Sequence, residues 1–148
     1  MLKRMAKPGR IAASLTVIGE RVDPDEVSLL LGSKPDEAHR PGDLVSNRGD
    51  TRRRTGVWII TTKDRVPDTV PLATHVSSLL ERVTSDPTVW SALADRHHIR
   101  LFVGWFMARE NEGTTLDPAL LEALGRRSLS LDFDVYATEV AGVTEETP

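Results

Sequence analysis

Two aspartates, Asp132 and Asp134, alternate with apolar residues near the end of the chain. Side chains two residues apart in a strand point the same way, with Cβ atoms roughly 7 Å apart. Carboxylates at that spacing could bind a hard cation or share a proton, with Glu110 or Glu112 approaching from the neighbouring turn. The same alternation is typical of the solvent-facing side of a sheet, and we favour this simpler interpretation.

Arginines supply the second candidate chemistry. Arg52, Arg53 and Arg54 precede Trp58, a combination that could grip phosphates and stack on bases of nucleic acid. It could equally form a loop with ion pairs, or contact an anionic protein surface. On an extended strand Arg54 and Trp58 would share one face. The net charge of -3 argues against nucleic acid as the main partner.

Arginine, aromatic and carboxylate groups together suit a protein interface, because Arg, Trp and Tyr are the usual anchors there. The predicted binding residues are Arg40, Arg54, Trp58, Asp132, Asp134 and Tyr136. The same groups around a groove would suit a small-molecule-binding protein or an enzyme, so that alternative stays open.

Several kinds of chemistry are not indicated. The chain has no cysteine, which excludes disulfides, thiolate catalysis and cysteine-bound zinc. His97 and His98 are adjacent and would point apart, so we predict no metal. There is no glycine-rich phosphate loop or nucleophile elbow, and we predict no catalytic residues and no cofactor. No run approaches the roughly 20 apolar residues of a membrane span, so we expect a cytoplasmic protein.

The element that must position these groups is the stretch from Ile99 to Ala108. It is apolar on both strand faces, which predicts a strand inside a sheet with neighbours on both sides. Gly104 within it is typical of a bulge or a close backbone approach. Phe102 and Phe106 would lie with Trp58 and Tyr136 on one sheet face, and this patch could pair with a partner protein or form a homodimer.

Periodicity and turn residues place the other elements. Further strands are predicted at 11–20, 37–40, 55–62 and 129–136, and helices at 23–32 and 72–83 and from Asp86-Pro87 and Asp117-Pro118. The fold class is α+β, a mostly antiparallel sheet of about five strands with helices packed mainly on one face. We expect a flexible basic arm at 1–10, a single domain at 11–137 and a flexible acidic tail at 138–148.

The chain resembles the domain-of-unknown-function family 4279 from about Leu15 to Tyr136. The segments that carry the resemblance are Ile18–Pro35, Arg40–Asp43, Arg54–Trp58, Leu116–Leu121 and Leu129–Tyr136. It implies a small bacterial single-domain protein and supplies no activity, cofactor or catalytic residue. Together with the residues above, the sequence favours a non-enzymatic protein-binding or accessory (immunity-type) module.

Overall fold

The computed structural model describes residues 9–138, which form five strands and four helices. In chain order they are β1 (Arg10–Gly19), α1 (Pro24–Leu31), β2 (Glu37–His39), β3 (Gly56–Thr61), α2 (Leu72–Leu80), α3 (Pro87–Arg96), β4 (His98–Phe106), α4 (Pro118–Arg126) and β5 (Ser130–Tyr136). The predicted α+β class is confirmed.

The strands form one mixed sheet in the order β2-β3-β1-β4-β5. Neighbours are antiparallel except β4 and β5, which run parallel and are joined through α4. β4 is paired on both sides, so the predicted interior position is confirmed. The bulge expected at Gly104 is wrong, because Gly104 pairs in continuous register with Ala12 and Asp134. No close approach occurs there either, since an added Cβ would meet its nearest atoms at 3.9 Å.

All four helices contribute to one core against the same face of the sheet. Alternate residues of β1 and β4, among them Leu15 and Leu101, are fully buried there with Leu79 of α2, Trp90 of α3 and Leu124 of α4. The opposite face carries no helix within residues 9–138. This one-sided packing leaves most alternate side chains of β4 and β5 half-buried or exposed on a helix-free surface, whereas Thr16 of β1 and Val57 of β3 are buried there.

Aspartate-proline pairs set the helix starts. Asp23, Asp86 and Asp117 each cap a helix whose first residue is proline, and Gly32 ends α1 in the left-handed region at φ 70°. The predicted α2 is too long by three residues, because its last turn tightens into bonds from Arg82 and Val83 to the carbonyls three residues back.

The cap of α4 gives a direct test. The Asp117 carboxylate accepts the backbone N–H of Leu120 at 2.8 Å, as predicted. Asp117→Ala is therefore expected to lower the free energy of unfolding by about 1 kcal/mol in urea titration. Asp117→Asn is the matched control, since asparagine caps equally well. Equal stability of the alanine variant and the wild type would contradict this role.

The first strand begins inside the predicted basic arm. Arg10 already belongs to β1 and the Gly9 N–H donates to Glu112 at 2.8 Å, so the predicted basic arm extends too far into the fold. The rest of that arm and most of the predicted acidic tail lie outside the described residues. None of the helices within 9–138 has the length and apolar character needed to cross a membrane.

Candidate functional site

On the helix-free side of the sheet, basic, acidic and aromatic side chains lie together where β1, β4 and β5 run side by side. We call this surface the open face, and its members are Arg10, Ala12, Arg100, Phe102, Gly104, Phe106, Asp132, Asp134 and Tyr136. Strand register fixes their arrangement, because directly paired residues project from the same side.

One row of the open face is aromatic and cationic. Arg10, Phe106 and Tyr136 are direct neighbours across β1, β4 and β5. The rings of Phe106 and Tyr136 stack at 4.6 Å with an interplanar angle of 6°, and the Arg10 guanidinium lies 5.1 Å from the Phe106 ring centre. Phe106 is 41% exposed and Tyr136 47%, so the stack is half covered by the chain itself.

A second cluster combines opposite charges with an aromatic ring. Arg100 forms an ion pair with Asp132 at 3.2 Å, and its guanidinium lies 5.1 Å from the Phe102 ring centre. On the same side, the Tyr136 hydroxyl donates to Asp134 at 2.6 Å. This hydrogen bond and the negative charge of Asp134 raise the pKa of the Tyr136 hydroxyl.

Between these two clusters lies a row of paired residues whose members in β1 and β4 have small side chains. Ala12 pairs with Gly104, and Gly104 pairs with Asp134. A Cβ at Gly104 would make only ordinary contacts at 3.9 Å, one of them with the edge of the Phe106 ring. Small residues of β1 and β4 therefore separate Phe102 from the Phe106–Tyr136 stack, with the Asp134 carboxylate beside them in β5.

Asp132, Asp134 and Tyr136 share this face, as the alternation of their strand predicted. Trp58 does not join them, and its expected exposure is wrong. Its side chain is 0% exposed on the helix side of β3, where Nε1 donates to the Ser28 hydroxyl at 3.0 Å. Register explains this, since Trp58 pairs with Val17, whose side chain lies in the core.

Arg54 and Arg40 also lie away from the open face. Arg54 is exposed in the turn before β3, at the end of the sheet where Gly56 pairs with Gly19, far from the Arg10 end. Arg40 contacts Asp23 at 2.8 Å and Asp25 at 2.5 Å. These ion pairs therefore hold the segment after β2 against the start of α1.

Glu112 does not approach Asp132 and Asp134. Its carboxylate accepts the Trp105 indole N–H at 3.2 Å and backbone N–H groups of Gly9 and Ala108. Partial burial opposes ionisation, but these donors outweigh it and lower the pKa of Glu112. Within residues 9–138 no group of three or more histidine or acidic side chains is placed to hold a metal ion.

Two further clusters of charged or polar side chains, around Asp36 and His75, are hydrogen-bonded to neighbouring parts of the fold. Burial would raise the pKa of Asp36, but hydrogen bonds from Arg82, the Thr61 backbone and Arg65 lower it to about 2. His75 is fully buried, with Nδ1 2.8 Å from the Thr62 hydroxyl, and burial lowers its pKa. Both clusters hold the fold together, and neither contacts the open face.

The sequence prediction missed Arg10 and Arg100. Arg10 immediately precedes the apolar run of β1 and falls within the predicted arm. Its spacing of two residues from Ala12 indicates that both side chains project from the same, outward side of the strand. Arg100 alternates with Phe102 in β4, and this pattern was a usable signal. Their pairing with aromatic rings depends on strand register, which local sequence does not give.

Comparisons with known proteins give one match. No curated protein and no solved structure matches the chain. A family model described as a domain of unknown function, DUF4279, matches residues 9–138.

Proposed function

The chain belongs to the DUF4279 family, a domain of unknown function, and we propose that it is a non-enzymatic protein-binding module that pairs with a second copy of itself through the open face. The observation that carries this proposal is the half-exposed stack of Phe106 on Tyr136, flanked by arginine and aspartate on a helix-free sheet face. Exposed aromatic groups with arginine are the usual anchors of protein interfaces.

The charges of the open face support a second copy as the partner. Arg10 and Arg100 are balanced by Asp132 and Asp134 within the same patch. A twofold interface places one patch against its own copy, so such a patch is complementary to itself. Arginines of one subunit can then face aspartates of the other, and the aromatic stacks add apolar contact. Over the whole open face, a uniformly anionic or uniformly cationic partner surface has no comparable advantage.

The three strands of the open face present part of the area that a dimer needs. β1, β4 and β5 have 10, 9 and 7 residues, and at about 3.3 Å per residue and about 4.8 Å between strands they present roughly 400 Å² on one face. A standard interface covers about 800 Å² per partner. In the proposed dimer, residues at the margins of the open face therefore contribute about half of the contact.

The alternative, a small-molecule site or enzyme, has weaker support. It requires carboxylates that are available to a ligand, whereas Asp132 already pairs with Arg100 and Asp134 accepts the Tyr136 hydroxyl. A cleft of about 470 Å³ lies elsewhere, lined by Glu20, Arg21, Asp95, Arg96 and His97. None of these residues belongs to the open face.

Sedimentation velocity over a range of protein concentrations tests the proposal. The wild type should sediment as a dimer that dissociates on dilution. Phe106→Asp should raise the dissociation constant about thirtyfold or more, because it removes an aromatic anchor worth about 2 kcal/mol.

Leu29→Asp is the matched control, since Leu29 is 85% exposed on α1, on the helix side of the sheet. It should sediment like the wild type. A wild type that stays monomeric at every concentration would overturn self-pairing, and equal loss of dimer in both variants would place the interface elsewhere.

A further inference from the structure

The outer edge of β5 is a second surface, which shares Asp132 and Asp134 with the open face. We propose that it binds an extended segment of a partner protein in which basic and apolar residues alternate, added to the sheet as a sixth strand. The edge spans the seven residues of Ser130–Tyr136, and within residues 9–138 no strand pairs with its outer side. The other edge of the sheet, β2, has only three residues.

The alternating direction of the backbone along β5 shows which N–H and C=O groups point away from β4. The Tyr136 carbonyl accepts from the Met107 N–H at 3.0 Å, so the backbone of Tyr136 is directed towards β4. Every second residue of a strand directs its N–H and C=O to the same side. Leu131, Phe133 and Val135 therefore direct their N–H and C=O groups outwards, where an added strand can complete a hydrogen-bond ladder.

The side chains of β5 define the partner's chemistry. Phe133 and Val135 lie on the helix side but remain 41% and 50% exposed, so apolar residues opposite them would bury surface. Asp132 and Asp134 alternate with them on the open face. Residues directly opposite in a ladder lie close together, and lysine or arginine opposite each aspartate is favourable.

The same aspartates disfavour a second copy of β5 as the occupant. An antiparallel twofold pairing centred on Phe133 sets Asp132 of each copy opposite Asp134 of the other. Centring on Asp132 or on Asp134 sets that residue opposite itself. The registers centred on Leu131 or Val135 avoid this but pair only three residues of the strand. Like charges directly opposite are destabilising, so the longer pairings favour a basic strand from another protein.

The probe is a blocked heptapeptide, Lys-Val-Lys-Val-Lys-Val-Lys, titrated into the full chain and followed by amide NMR shifts. The shifts should centre on Leu131, Phe133 and Val135. The matched peptide with glutamate in place of lysine should bind about tenfold more weakly. The lysine peptide with N-methyl groups at its ladder-forming positions should not bind, because it cannot complete the hydrogen bonds.

Val135→Pro tests the edge from the protein side. The Val135 N–H points outwards, so proline removes an edge donor without removing a bond to β4. This variant should weaken the lysine peptide about fivefold and leave sedimentation unchanged, whereas Phe106→Asp should not weaken peptide binding. Equal binding of the lysine and glutamate peptides, binding of the N-methylated peptide, or no binding of the lysine peptide would overturn the proposal.

Discussion

Replacing Trp58 by alanine is expected to lower the free energy of unfolding by about 3–5 kcal/mol. Trp58 is fully buried between β3 and the helices, so truncation leaves a large cavity and removes the hydrogen bond to Ser28. Urea unfolding followed by far-ultraviolet circular dichroism measures the change.

Trp58→Phe separates the two contributions to this loss. Phenylalanine fills most of the indole volume but leaves the Ser28 hydroxyl without its donor, so it should cost less than the alanine variant. A loss below about 1 kcal/mol for Trp58→Ala would contradict the buried position, because buried aromatic truncations cost several times more.

Leu101→Ala is expected to cost about 2–4 kcal/mol by cavity formation. Leu101 lies in β4 between Leu15 of β1 and Leu131 of β5, and its side chain is 0% exposed. Chemical denaturation of both proteins under identical conditions gives the difference.

Leu29→Ala is the matched control for Leu101→Ala, since Leu29 is 85% exposed. It should change stability by less than about 0.5 kcal/mol, as surface substitutions usually do. Similar losses in the two leucine variants would mean that Leu101 is not part of the core.

Local chemistry made much of this fold predictable. The apolar run around Leu101 predicted an interior strand, and three aspartate-proline pairs predicted the helix starts. The alternation in β5 correctly placed Asp132 and Tyr136 on one side. Each of these signals depends on neighbouring residues alone, which is why sequence was sufficient.

The residues whose positions were not predicted correctly are placed by pairing between segments that lie far apart in the sequence. β3 is apolar on both sides, so its alternation could not show that Trp58 faces the helices; its register with Val17 decides this. The parallel direction of β5 follows from the α4 crossover and the order of strands. Arg10 and Phe106 are adjacent only because β1 and β4 pair in one particular register.

The central position of β1 has a consequence for synthesis of the protein. β1 precedes every other strand in the sequence, yet one of its two neighbours is β4. A nascent chain that stops before His98 leaves one side of this apolar strand without a partner. The native sheet can therefore close only after β4 has left the ribosome, and pairing over so long a separation favours slower folding than local contacts would give.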